Sequence, residues 1–136
     1  MTTVGVLSWM PDLDRFIEVT ASLIKPGGYL LVEELHPILG MYEEAKPSYA
    51  AYSYFNTEPF KDTDGLDYFT GEKYDAIENY SFHYKLADIL NAAIAHKLQL
   101  MHINELSYNV GNFCADLEHV SNNPPLAINL AWRKLG

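Results

Sequence analysis

The 136-residue sequence predicts an α/β domain of about three main strands and two principal helices, interrupted by a long aromatic-rich insert. Three observations carry this reading. Apolar residues recur at helical spacing over 13–24 and again over 86–94. A continuous apolar run at 29–32 and a clean alternation at 126–133 read as strands. Between them lies a stretch, 36–82, holding eleven aromatic residues.

The chain opens on an apolar run, Thr3 to Met10, with no helix or strand signal before it. Leu13, Phe16, Ile17, Thr20, Leu23 and Ile24 then form one stripe of an amphipathic helix. Asp12 is its expected N-cap, and Asp12, Asp14 and Glu18 place negative charge at the positive end of the helix dipole. Lys25-Pro26-Gly27-Gly28 ends it, since the residue before proline avoids helical geometry and glycine permits a tight reversal. Tyr29–Leu35 reads as an interior strand covered on both faces.

Residues 36–82 are too long for a structureless connection in a compact domain, and too aromatic for a tether. They read as a cap or lid, with a turn at Asp64-Gly65 and short strands beside it. A second helix carries Leu86, Ile89, Leu90, Ala93 and Ile94. A strand follows over 98–106, then an irregular stretch over 109–125. In the last strand Leu126, Ile128, Leu130 and Trp132 share one face. This inventory is half of an α/β fold and near the lower limit for a stable sheet. The whole chain, 1–136, is read as one domain.

Composition excludes several functions. Nine Lys and Arg against eighteen Asp and Glu give a formal charge of −9, which argues against nucleic acid or an anionic membrane as partner. The single cysteine, Cys114, excludes an internal disulfide and a cysteine-rich zinc site. No apolar run approaches the roughly 18 residues that span a bilayer, and the first residues lack the basic region of a secretion signal. A cytoplasmic domain is expected. His96, His102 and His119 match no metal-ligand spacing, so no metal is expected. Cys114 has no neighbour that would lower its pKa, and Ser8 is not in a nucleophile elbow.

Two stretches resemble class I S-adenosylmethionine (SAM)-dependent methyltransferases of the small-molecule branch: Gly5-Val6-Leu7-Ser8-Trp9-Met10-Pro11-Asp12-Leu13-Asp14, and Leu23-Ile24-Lys25-Pro26-Gly27-Gly28-Tyr29-Leu30-Leu31-Val32. In that family the first leaves the fourth strand and the second joins the next helix to the fifth. Glu34-Leu35-His36-Pro37 and His83-Tyr84-Lys85-Leu86-Ala87-Asp88-Ile89-Leu90-Asn91-Ala92 are similar to the end of the fifth strand and the start of the helix after it. The resemblance implies a partial Rossmann-like methyltransferase fold corresponding to the family's C-terminal half. It also implies methyl transfer from SAM to a small molecule in the complete enzyme. The family's glycine-rich SAM loop has no counterpart, because no G-x-G occurs in the sequence. Glycines there let backbone approach the cofactor, so this chain alone is not expected to bind SAM tightly. The first three strands and most of the fourth are then missing from it, and the sequence reads as a truncated enzyme.

Within the resemblance His36 is the catalytic candidate, at the carboxyl end of a strand where α/β sheets place ligands. There an imidazole could orient an acceptor or take its proton; the competing reading is a loop histidine that fixes the turn before Pro37. Val4, Gly5 and Trp9 correspond to the wall beside the methionine part of SAM, or to an apolar terminus packed on the core. Tyr68, Phe69 and Tyr80 are candidates for substrate contact, since clustered rings suit a planar or apolar acceptor; they could equally form the insert's own core. His83, which opens the helix after the insert, could line the same crevice; the reading that weighs more is a first-turn surface residue. Glu33 and Glu34 point to opposite faces of a strand and cannot act as a pair. Without the fourth strand, 29–35 would be an open edge and helix 13–25 would lose its cover, so a homodimer through either is expected. The alternative to an enzyme is a dimeric fragment or interaction module without catalysis.

Overall fold

A computed structural model describes residues 1–67 and 69–136 of the chain. Its main sheet has four strands in the order β1-β2-β8-β7: β1 (Thr2–Val4), β2 (Tyr29–Leu35), β8 (Ala127–Lys134) and β7 (Leu98–Leu106). β1 runs parallel to β2, while β8 lies antiparallel between β2 and β7. Helices α1 (Leu13–Ser22) and α2 (Leu86–Ala95) pack against each other and the sheet. The α/β class holds, with a fourth strand where the sequence suggested only an apolar run.

That fourth strand changes the expected edge. Thr2, Thr3 and Val4 pair with Leu31, Val32 and Glu33, so β2 is flanked on both sides and the open edge belongs to β1. Leu30 and Val32 are buried under the helices, but Tyr29 and Leu31 are 49% and 45% exposed. At this end β2 is therefore covered on one face, not two. Both helices lie on the Leu30 side; the opposite face is open at Tyr29 and Leu31 but covered at its other end. There Leu35 packs against Leu39, Cys114 and Leu117, and Ala127 is fully buried.

Local sequence explains the helix limits. The Asp12 carboxylate accepts the Arg15 N–H at 2.9 Å, capping α1 as expected. Leu13, Ile17, Thr20, Ala21 and Ile24 are buried, but Leu23 lies beyond the helix end and is 69% exposed. Gly27 takes a φ of +80°, which a side chain resists, and its N–H bonds the Lys134 carbonyl at 2.8 Å. On α2 the buried residues are Ile89, Ala92 and Ala93, while Ile94 faces solvent. Trp132, Ile128 and Leu130 of β8 meet these helices. Each fully buried side chain of this kind contributes about 1.5–3 kcal/mol. Leu126 joins a smaller cluster with Leu39, Cys114 and Leu117.

The insert is structured. It holds a 3-10 turn (Pro37–Met41), a short ribbon of β3 (Tyr42–Glu43) with β4 (Tyr49–Ala50), and a long hairpin of β5 (Phe60–Leu66) with β6 (Lys73–Ser81). Asp64 and Gly65 lie inside β5, opposite Asp75 and Tyr74. The reversal comes later, where Asp67 exchanges backbone bonds with Glu72 and Gly71. Gly65 serves a close approach instead: a Cβ there would stand 2.4 Å from the Tyr74 ring. Ser48, after β3, bonds the Asp116 carboxylate through its N–H at 2.7 Å and its hydroxyl at 2.5 Å. That pair ties the insert to the 109–125 stretch. No helix among the described residues is long and apolar enough to cross a membrane.

Candidate functional site

The carboxyl ends of β1 and β2 lie side by side, where a sheet of this kind receives ligands. At Gly5 the chain leaves β1 with a φ of +60°. The side chain of Glu34, buried on β2, holds the departing segment: its Oε1 accepts the N–H of Val6 at 2.6 Å and of Leu7 at 3.0 Å. Burial pushes the Glu34 pKa up, and the two N–H donors pull it part of the way back. Glu33 points to the face opposite Glu34, as expected, and stands across from Asn129 of β8.

Val4, Gly5 and Trp9 are all exposed, and nothing lies within 4 Å of a Cβ built on Gly5. They make an open wall. None of them lines the groove between the amino ends of α1 and α2 or the hollow beside Glu18 and His96. The residues present therefore do not enclose a SAM molecule.

His36 ends β2 and is 6% exposed. Its Nδ1 accepts the Ile38 N–H at 3.1 Å, capping the Pro37–Met41 turn. A nitrogen that accepts from an N–H carries no proton, so the proton sits on Nε2, which donates to Glu105 Oε1 at 2.9 Å. Both ring nitrogens are engaged. This geometry matches the turn-fixing reading and adds Glu105, 69 positions away, which no sequence pattern connects to it.

His83 differs. Its Nε2 donates to the Tyr54 carbonyl at 2.7 Å, and its ring stands edge-on to Tyr54 at 5.5 Å. Nδ1 rests against Gly40, where an added Cβ would come within 2.1 Å. Nδ1 has no hydrogen-bond partner among the described residues. His83 lines a groove of about 640 Å³ between the amino ends of α1 and α2. Pro11, Asp12, Asp14, Thr57, Tyr84 and Asp88 are among the other lining residues. The Tyr84 hydroxyl donates to the Met10 carbonyl, and the Phe82 N–H bonds the Ser8 carbonyl at 2.7 Å. Those bonds seat the start of α2 beside the Leu7–Trp9 turn.

The structure thus brings His83 beside α1 and leaves two other substrate candidates apart. Phe69 is at the tip of the β5–β6 hairpin and Tyr80 on β6, where its hydroxyl donates to Glu78; neither lines the groove. Tyr68 lies outside the described residues. Tyr54 and Thr57 reach the groove region in their place, although neither carried a motif. Cys114 is buried, and burial raises its thiol pKa, as suits an inert side chain. Among the described residues no group of three His, Cys, Asp or Glu could hold a metal ion.

No protein-family model matches the sequence, and no curated protein matches it by sequence. Solved structures do match. A SAM-dependent methyltransferase from Mesorhizobium loti aligns with a TM-score of 0.65 at 15% identity, over 98% of this chain and 60% of that one. A Listeria monocytogenes protein provisionally assigned the same activity gives 0.66 at 13% identity, over 99% and 60%. A methyltransferase from Methanosarcina mazei gives 0.56 at 18%, over 98% and 57%. This chain spans about 60% of the length of the structures it resembles. Its β1-β2-β8-β7 sheet with α1 and α2 therefore has the fold found in that part of SAM-dependent methyltransferases.

Proposed function

We propose that this chain is the acceptor-side, C-terminal part of a SAM-dependent methyltransferase domain that methylates a small molecule. In this reading the cofactor-binding glycine loop comes from polypeptide outside it. The carrying observation is the fold match over nearly the whole chain, combined with the exposed Val4-Gly5-Trp9 wall at the carboxyl end of an open-edged β1. An edge strand with unpaired backbone suits the docking of a further sheet segment. SAM would supply the methyl group in the complete domain.

The groove beside His83 is the proposed acceptor site. Its lining mixes an aromatic ring with Asp12, Asp14 and Asp88, a combination that favours an acceptor with a cationic or hydroxylated end. His83, its ring held by the Tyr54 carbonyl and packed on Gly40, is proposed to position the acceptor along the groove wall. His36 acts as a positioning residue that shapes the Pro37–Met41 turn, on which Gly40 supports the His83 ring.

A second reading, a dimeric module without catalysis, is favoured by the unenclosed wall. One experiment separates the two. The coding sequence upstream of Met1 is read, and any in-frame extension carrying a G-x-G loop is expressed. Calorimetry with S-adenosylhomocysteine should then give micromolar binding, about −8 kcal/mol, to the longer chain and no heat with the present one. A folded longer chain that ignores the ligand, or a stop codon directly upstream, would favour the non-catalytic module.

A further inference from the structure

Among the described residues, little covers the β5–β6 hairpin beyond Tyr52 against Phe60. A two-stranded ribbon is marginal in water unless another surface shields it. Yet Tyr74 is exposed, Ile77 is 93% exposed, and Phe69 at the tip is wholly so. Its charge is one-sided: Asp62, Asp64, Asp67, Glu72, Asp75 and Glu78 stand against Lys61 and Lys73. Lys61 is taken by Glu78. Asp64 lies directly opposite Asp75, a like-charged cross-strand pair that weakens a free ribbon. Both features call for an apolar surface carrying positive charge.

Such a surface lies at the far end of the same molecule. The hairpin joins the body at the Leu7–Trp9 turn, beside the carboxyl ends of β1 and β2. At the amino end of β2 stand Lys25, Lys97, Arg133 and Lys134, four of the nine basic residues of an acidic chain. Backbone bonds hold them together: Gly27 N–H to the Lys134 carbonyl at 2.8 Å, and Leu135 N–H to the Lys97 carbonyl at 2.9 Å. Tyr29 pairs with Arg133. Among the described residues none of the four is ion-paired. The one acid bordering the adjoining hollow, Glu18, is held by Arg15. Leu23, Tyr29, Ile94 and Leu135 supply exposed apolar area around them.

We propose that two copies of this chain associate antiparallel, each laying its β5–β6 hairpin on the basic, apolar end of the other. Antiparallel placement makes the two contacts equivalent about a two-fold axis, so the assembly closes at two copies. The lengths agree. Nine residues of β6 extend about 30 Å, as do the nine of β7 in the partner sheet, at roughly 3.3 Å per residue. Asp64 and Asp75 would then face lysines and arginine, relieving their repulsion, while Phe69 and Ile77 leave water.

Sedimentation of the chain tests this at 0.1 M and 1 M salt, between which the screening length falls from about 10 Å to about 3 Å. A two-chain mass is expected at low salt and a shift toward one chain at high salt. Asp64→Lys with Asp75→Lys should give a monomer, as should Lys25→Glu with Arg133→Glu; mixing the two variants should restore the two-chain mass. Should either fail to fold, Phe69→Ser with Ile77→Ser, at positions buried against nothing, should also give a monomer. A one-chain mass for the unaltered protein at low salt would overturn the proposal. So would variants that all remain dimeric.

Discussion

Removing the Glu34 carboxylate tests how the segment leaving β1 is held. In Glu34→Ala the N–H groups of Val6 and Leu7 both lose their acceptor. Leu7 is buried and Val6 half-buried. An unsatisfied buried N–H costs about 1–3 kcal/mol, so the pair costs about 3 kcal/mol. Burying a carboxylate is itself unfavourable, as its raised pKa shows, so its removal offsets part of that loss. The net loss is about 2 kcal/mol, or about 6–10 °C in Tm for a chain of this size. Urea and thermal unfolding at neutral pH measure it. Stability within about 0.5 kcal/mol of the unaltered chain would refute the reasoning.

Glu34→Gln separates the hydrogen bonds from the charge, because the amide oxygen can still accept both N–H groups. Burial holds the folded pKa of Glu34 above its ordinary value of 4.5, so the native state holds the proton more tightly than the unfolded one. The unaltered chain therefore gains stability relative to Glu34→Gln as pH falls through the folded pKa toward 4.5. Above the folded pKa the difference stays flat. A difference that moves the other way would show that hydrogen bonding outweighs burial.

Three further outcomes are expected. His36→Asn should cost less than His36→Ala, by about 1 kcal/mol, since Asn can still cap the Ile38 N–H; paired urea titrations decide it, and equal losses would assign the role to Glu105. Gly40→Ala should displace the His83 ring, because no Cβ fits 2.1 Å from Nδ1; a destabilisation of about 1–3 kcal/mol and a shifted imidazole resonance in NMR are expected. Ser48→Ala should lower Tm at neutral pH, with the gap closing in acid. The Asp116 pKa is depressed chiefly by the Ser48 hydroxyl and N–H, so its contribution is complete above the ordinary value of 3.8 and fades as pH falls through the folded one.

Elements whose signal is local were legible in the sequence. α1 shows its cap at Asp12 and its stripe at Leu13, Ile17 and Thr20, and β8 shows strict alternation from Leu126 to Trp132. β1 was not legible as a strand, because three residues carry no period and its pairing with Leu31–Glu33 is set by partners about 29 positions away. The insert misled at Asp64-Gly65 for a related reason. A glycine after aspartate ordinarily marks a turn, but here it makes room for the Tyr74 ring from the facing strand. The one-sided cover of β2 at Tyr29 and Leu31 was equally hidden, since an apolar run records the tendency to be buried and not what is present to bury it.

The two histidines show the same division at the site. Strand-end position favours His36 and says little for His83, and position was all the sequence offered. What the structure adds is the surroundings of each ring nitrogen. A base needs a lone pair directed at the reactant; His36 gives one nitrogen to a backbone N–H and the proton of the other to Glu105. A carbonyl can only accept, so Tyr54 fixes the His83 proton on Nε2, while Nδ1 packs against Gly40. Tyr54 comes from the aromatic insert. That segment, read as a lid over substrate, does its clearest work here by setting the tautomer of a histidine on the groove wall.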